Sequence, residues 1–430
     1  MADGFLSPFD ASAVLVVASA VLGYVNFRFL RLPASVGMTF MGALASLAVI
    51  GIDHVLPGAH LPDTLMAFLN GVDFQSTLLN GMLCFLLFAG ALHIDWHDMK
   101  RGRWPILLLS TLGTMLSTAI VAVGFFGLAR LVGLDVPLTW CVVFGALISP
   151  TDPVAVMAVL KHVAVPKTLS ATISAESLFN DGIGVVLFGI ALSVAVGGHG
   201  FSLGGAALDF AREAGGGVVL GGVAGGLGYA LMRSVDEYNV EVMITLAVVM
   251  GGYAVAHVLG VSGPVAMAVA GLIVGNAAVG HAMSETTRDY LLKFWSLIDE
   301  LLNAVLFLLI GLEFIAVAHE GKLLVLGAIT VPLVLAARFI SVAGPLAALR
   351  PFISLGKMAM PILVWDGLRG GLSIAMALSL GKGPARDILL TSTYAVVLFA
   401  VLVQGGTIGK IVARLNAKAE KEPDAYAEQP

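Results

Sequence analysis

The sequence predicts an all-α polytopic membrane protein. It should have about thirteen transmembrane helices, built as inverted six-helix repeats with two broken crossing helices. Three observations carry that prediction. Of 430 residues, 58% are hydrophobic and 12% are charged, about half the charged share of a soluble domain, and the mean hydropathy is +0.97. Apolar runs of the length that crosses a bilayer, about 20 residues, recur along the whole chain. Two of those runs are interrupted by proline or glycine beside charged residues, seven runs apart.

By length and hydropathy the spans fall near 10–31, 34–52, 76–97, 104–133, 138–161, 168–197, 205–233, 239–258, 263–281, 292–318, 322–349, 357–381 and 386–414. Connections are short, and the longest, Asp53 to Gln75, has room for a small interfacial helix. A single transmembrane domain therefore covers 1–414, with 415–430 expected as a short, polar, disordered cytoplasmic tail and no soluble catalytic domain. The N-terminus lacks the basic region of a cleaved signal peptide. Cys84 and Cys141 lie in apolar runs and read as core residues without a disulfide framework. On this segmentation sixteen Lys and Arg fall on one side and five on the other, with Arg338 and Arg369 inside spans. The bias places the N-terminus outside and the C-terminus in the cytoplasm of a cell (inner) membrane protein.

The fifth span contains Ser149-Pro150-Thr151-Asp152-Pro153, and the two prolines remove backbone donors and disfavour helix before them. The twelfth reads Trp365-Asp366-Gly367-Leu368-Arg369-Gly370-Gly371. Seven spans apart, the two run in opposite directions. Paired interrupted helices in two inverted halves mark a transporter's binding site, and irregular backbone at that depth must be buried or line a cavity.

Six ionisable residues sit near mid-span: Asp152, Glu176, Asp181, Arg338, Asp366 and Arg369. A carboxylate at bilayer depth costs roughly 2.5–3.5 kcal/mol on insertion scales, so pairing is considered first. Glu176 is assigned to Arg338 as a structural ion pair, and Asp366 is one possible partner for Arg369; other pairings balance the charge as well. On that allocation Asp152 and Asp181 stay open to a mobile cation or a proton. Carboxylate, hydroxyl and carbonyl oxygens suit a hard cation, and Thr151, Ser177 and the freed carbonyls can supply them.

These residues resemble the monovalent cation:proton antiporter family of the bacterial NhaP type, related to animal sodium/proton exchangers. The likeness runs over about 10–414. Thr151-Asp152-Pro153 looks like the family's unwound crossover, and Glu176-Ser177 with Asn180-Asp181 like its sixth-helix signature. Ala337-Arg338-Phe339 and Gly367-Leu368-Arg369-Gly370 look like its arginine segments. The resemblance implies exchange of Na⁺ (or Li⁺ or K⁺) for H⁺ and makes Asp181 the essential carboxylate. It implies that Asn180 and Asp152 organise the site, that Thr151 and Ser177 ligate, and that Glu176 pairs with Arg338. It also implies a six-helix core moving against a dimerisation domain, hence a homodimer. Asn180 beside Asp181 resembles the electroneutral branch. Two positions depart from the pattern: Ala89 stands where many relatives carry Glu, and Asp366 where Gly is common.

No enzyme activity, cofactor, resident metal or nucleic acid is expected; the partners are the exchanged ions and the bilayer. Alternatives are a K⁺/H⁺ antiporter, a cation channel and, behind them, an intramembrane aspartyl protease using Asp152 and Asp181. The channel lacks a repeated filter loop, and the protease lacks its Gly-x-Gly-Asp context. His93, Asp95 and His97 read as membrane-interface residues rather than a metal site, and His257 as a packed residue. Glu313 reads as solvated near an outer helix end, with a vestibule role as the alternative. Asp299 and Glu300 should face a cytoplasmic funnel. Gly217, Gly221 and Gly225 form a small-residue stripe for packing within the subunit.

Overall fold

A computed structural model describes residues 8–55, 65, 81–160, 167–197, 202–279, 283–316, 320–349, 359–381 and 383–419. Among these the chain is all-helical. The helices are α1 (Pro8–Val25), α2 (Ala34–Val55), α3 (Leu83–Leu92), α4 (Arg103–Val132), α5 (Leu138–Ile148), α6 (Val154–Leu160), α7 (Lys167–Gly197) and α8 (Leu203–Met232). They continue with α9 (Tyr238–Leu259), α10 (Gly263–Ile273), α11 (Glu285–Leu312), α12 (Gly321–Leu349), α13 (Ala359–Trp365), α14 (Gly371–Leu378) and α15 (Pro384–Phe399). After α15 the helix runs on through a π-turn to Ala419, past Arg414 and into the residues expected to be a disordered tail. The stretch 53–75, where an interfacial helix is expected, lies outside the described residues apart from Asp53–Val55, which end α2, and Leu65, as do residues 420–430.

Nine described helices are long and apolar enough to cross a bilayer, with shorter apolar helices at Leu83–Leu92, Leu138–Ile148 and Gly263–Ala278. Large apolar side chains such as Leu131, Leu208, Val219 and Val258 point outward, as they do where lipid is the solvent. Arg130 lies over the Phe126 ring, and Lys100 and Arg103 over the rings of Trp96 and Trp104, the aromatic and basic pairing of a membrane interface.

Because lipid tails are as apolar as leucine, helices here associate by close packing rather than by hydrophobic exclusion. Glycines set that packing. On α8, Gly217, Gly221 and Gly225 press on the backbone of α10. A Cβ on Gly217 would come within 2.7 Å of the Ser262 carbonyl and one on Gly225 within 3.0 Å of the Ala270 Cα, so the stripe serves packing inside the subunit. Gly42 on α2 and Gly311 on α11 face each other in the same way, and Ser46 Oγ donates to the Leu312 carbonyl at 2.6 Å across that seam. Cys84 and Cys141 are buried free thiols.

The α8–α10 seam gives a paired test. A side chain at Gly221 meets Val269 and the Ala266 backbone, whereas one at Gly222 meets nothing. Gly221→Val should cost about 1–3 kcal/mol by overpacking and lower the melting temperature in detergent. Gly222→Val should leave it near wild type. Equal melting temperatures for the two variants contradict the seam.

Candidate functional site

Two helices stop in mid-molecule and meet. The first stops at Ile148 and resumes at Val154; the second stops at Trp365 and resumes at Gly371. Pro150 and Pro153 explain the first gap, because neither has an N–H to continue the ladder. The backbone groups freed there find partners across the molecule. The Asp152 N–H donates to the Leu368 carbonyl at 2.9 Å, tying one break to the other. The Thr151 N–H donates to Asn180 Oδ1 at 3.1 Å, and the Val154 N–H to Asp152 Oδ1 at 2.9 Å, which caps α6.

Each of the two half-helices that end at the crossing has a guanidinium on its last carbonyls. Arg369 Nη1 donates to the carbonyls of Ser149 and Pro150 at 3.0 and 3.1 Å, beyond the C-terminal end of α5. Arg338 Nε donates to the Leu363 carbonyl at 3.1 Å, in the last turn of α13. A cation there is favourable because carbonyl dipoles accumulate at a helix C-terminus. Two glycines make the crossing possible. A Cβ on Gly367 would fall 2.6 Å from Arg338 Cγ, and one on Gly370 would overlap the Asp152 carboxyl group.

The mid-span charges separate into an inner set and an accessible pair. Glu176 is fully buried and takes both Arg338 Nη atoms, at 2.9 and 3.1 Å, a bidentate pair across 162 residues of sequence. Asn180, one turn on along α7, bonds Glu176 Oε1 through its amide nitrogen at 3.0 Å and Thr151 Oγ1 at 2.7 Å. Thr151 Oγ1 also lies 3.1 Å from Ser177 Oγ. Thr151, Ser177, Asn180, Arg369 and Asp366 are all buried. Asp152 and Asp181 alone among the six mid-span ionisable residues are only half-buried. Ser177 and Asp181 are four apart on α7 and share a face. Among the described residues the Asp181 carboxylate accepts no hydrogen bond.

One pairing differs from the sequence expectation. Arg369 does not turn to Asp366, whose two carboxylate oxygens are buried without a hydrogen-bond partner among the described residues. Three residues share a face only on a helix, and here the chain is irregular from Gly367 to Gly370. Two other readings also change. His257 is exposed, because its neighbours Val258 and Leu259 face outward. Glu313 is 6% exposed, hence buried rather than solvated. His93, Asp95 and His97 are exposed, Asp95 capping the next short helix. Among the described residues no group of three or more His, Cys, Asp or Glu is placed to hold a metal ion. The sequence reading missed Glu241, fully buried near the start of α9 with neither oxygen bonded among the described residues. It sits in an acidic turn at a span end, where solvation is the ordinary expectation, so no local signal marks it.

The buried pair gives the stability test. Removing one partner strands a charge, which typically costs 3–5 kcal/mol. Glu176→Gln and Arg338→Gln should each lower the melting temperature in detergent, and the double variant should lose less than the sum. Strictly additive losses contradict the coupling.

With this geometry in place, relatives locate the chain. The family described as "Sodium/hydrogen exchanger, transmembrane" matches residues 16–414. The Na⁺/H⁺ antiporter NhaP of Pseudomonas aeruginosa is 44% identical over 416 residues, covering 95% of this chain and 97% of that protein. The Na⁺/H⁺ antiporter NhaH of Halobacillus dabanensis is 31% identical over 94% of this chain and 97% of its own length. The solved structure of the sodium proton antiporter MjNhaP1 from Methanocaldococcus jannaschii at pH 8 superposes with a TM-score of 0.73 at 18% identity, over 95% of this chain and 98% of that one, a likeness of fold. The chain is a multi-pass membrane protein and belongs to the sodium/hydrogen exchanger family.

Proposed function

We propose that this protein is a secondary active antiporter that exchanges Na⁺ for H⁺ by alternating access, with Asp181 binding either ion in turn. The observation that carries the reading is the sorting of charge at the crossing. Glu176, Arg338 and Arg369 are committed to partners, while Asp181 is half-buried, unbonded among the described residues, and shares its helix face with the Ser177 hydroxyl. Thr151 Oγ1 and Ser177 Oγ add neutral oxygens beside the Asp152 and Asp181 carboxylates, a donor set suited to a small hard cation. Both the P. aeruginosa and H. dabanensis relatives are Na⁺/H⁺ antiporters by name.

The exchange follows from the penalty on bare charge. An unloaded carboxylate that costs roughly 3 kcal/mol in the apolar barrier suppresses the empty transit about 150-fold. Na⁺ or H⁺ neutralises it and permits the transit. A site that crosses only when loaded with one ion or the other couples the two fluxes.

Asn180 limits the number of protons. Its amide nitrogen donates to both Thr151 Oγ1 and Glu176 Oε1. A carboxylate at 180 could make neither bond and would meet Glu176 as a like charge. One adjacent carboxylate, Asp181, therefore titrates, Asp152 keeps its state by capping α6, and exchange is electroneutral.

The thirteen-span inverted repeat is part of the same proposal. If each span is matched with the one seven spans later, part of the packing recurs. Thus α2 packs on α11 as α10 packs on α3, and α4 packs on α5 as α12 packs on α13. The fourth span touches its mate, the eleventh, through α4 and α12, and the fifth touches the twelfth through α5 and α14. The excess of Lys and Arg supports an external N-terminus and a cytoplasmic C-terminus, and the family resemblance supports a homodimer.

Purified protein in liposomes tests the proposal. Wild type should move protons on addition of Na⁺, and Asp181→Asn, folded and inserted, should not. One charge across 100 mV is worth about 2.3 kcal/mol, so a 2:1 exchanger would shift its end-point with a clamped potential, and this protein should not. Robust exchange by the Asn variant sinks the site assignment. A potential-dependent end-point sinks the single-carboxylate stoichiometry and brings Asp152 forward as a second carrier.

A further inference from the structure

Four buried ionisable side chains lie behind the crossing: Glu176, Arg338, Asp366 and Arg369. Glu176 takes both Nη atoms of Arg338. Arg369 uses only Nη1, on the Ser149 and Pro150 carbonyls; its Nε and Nη2 are buried and unbonded among the described residues, as are both carboxylate oxygens of Asp366. Charged donors without acceptors and acceptors without donors thus occur in one four-residue segment. The Leu368 N–H donates to the Asp366 carbonyl at 2.5 Å, a three-residue turn that folds the chain back between the two. Their Cα atoms therefore lie within about 10 Å, the reach of three residues of extended chain. Asp366 and Arg369 each lie in the field of the other, and Arg338, Glu176 and Asp152 also face Asp366. Arg369 reaches the exchange site as well. Pro150, whose carbonyl it binds, rests on α7 where a Cβ on Gly184 would overlap its ring. Gly184 is three residues past Asp181 and shares its face. Asp181 lies in the field of Arg369 and in those of Asp152 and Glu176.

We propose that Asp366 is the standing counter-ion of Arg369 and, through it, sets how strongly Asp181 holds either exchanged ion, an assignment that rests on the antiport reading and deepens it. A guanidinium stays protonated, so a buried Arg369 needs a negative neighbour at every stage of the cycle. Glu176 is committed to Arg338. Asp181 answers Arg369 only while bare, because Na⁺ or H⁺ neutralises it. With Asp366 ionised, the buried set holds two cations and two anions and stays neutral when Asp181 is loaded. Without that charge, loading Asp181 strands Arg369 in a low-dielectric interior, and loading is opposed. The opposition is electrostatic and is the same for either neutralising ion. Asp366 therefore strengthens Na⁺ and H⁺ binding by one common factor and leaves the choice between them as it is.

Exchange by purified protein in liposomes, followed over a series of pH values, supplies the test. Asp366→Asn keeps the shape of the side chain and removes its charge. At alkaline pH, where protons do not compete, its half-saturating Na⁺ concentration should lie about fivefold above wild type. The pH at which protons begin to compete should fall by about 0.7, the same factor on a logarithmic scale. At the acid end the two losses cancel, and the curves of variant and wild type should meet. Asp366→Glu, which keeps the charge, should follow wild type throughout. The groups are buried, so concentrated choline chloride should leave the factor as it is. An unchanged alkaline half-saturation for Asp366→Asn overturns the proposal. So does an equal rise at every pH, the mark of disturbed Na⁺ ligands rather than of a lost charge. If the Asn variant fails to insert, Asp366→Gly takes its place with the same expected and overturning results. Absence of Na⁺-driven proton movement in wild type is a separate outcome and overturns the antiport reading itself.

Discussion

Backbone that leaves a helix at bilayer depth must find new hydrogen-bond partners, because hydrocarbon supplies none. The crossing of the two interrupted helices answers that demand, and the rest of the site is arranged around the answer. The first break gives its Asp152 N–H to the second break and its Ser149 and Pro150 carbonyls to Arg369. Thr151 and Val154 take Asn180 and the Asp152 carboxylate. Arg338 holds the end of α13 and the Glu176 carboxylate together. Neither break is satisfied alone, so the two form one hydrogen-bonded unit that includes α7.

The same unit determines which charges are available for exchange. Both arginines are used to hold half-helix ends, and Glu176 answers one of them. Asn180 links this inner set to Thr151 and keeps the adjoining position uncharged. Asp152 and Asp181 remain at the accessible edge. Stability and proposed function are thus carried by different carboxylates a few residues apart, and a structural defect at Glu176 should be separable from a transport defect at Asp181. Asp366 fits neither group cleanly. It is buried with both oxygens unbonded among the described residues, in the fields of Arg338 and Arg369.

Much of this was legible from residue types. Proline and glycine at 150, 153, 367 and 370 locate the crossing, since each alters what the backbone can do. Charge balance offered the Glu176–Arg338 partnership as one of several allocations, because an unpaired buried charge is too costly to leave, and the bidentate contact selects it. Side-chain direction was not legible where the chain is irregular, and so Arg369 went to two carbonyls rather than to Asp366. Apolar surroundings also mislead in a membrane protein, where they describe lipid as readily as interior; His257 is exposed for that reason. Glu241 and Glu313 show the converse, acids near helix ends that tertiary packing buries. The small-residue stripe on α8 was readable because helical spacing and the lack of a side chain together leave close packing as its use.

The central claim is that Na⁺ and H⁺ compete for one carboxylate at the crossing. The most direct measurement is the Na⁺ dependence of exchange by purified protein in liposomes at a series of pH values, with the same pH on both sides before Na⁺ is added. Competition predicts that the half-saturating Na⁺ concentration rises as pH falls, approaching tenfold per pH unit on the acid limb, while the maximal rate stays constant. A half-saturating concentration that does not move with pH, with the rate alone falling, would contradict a shared site.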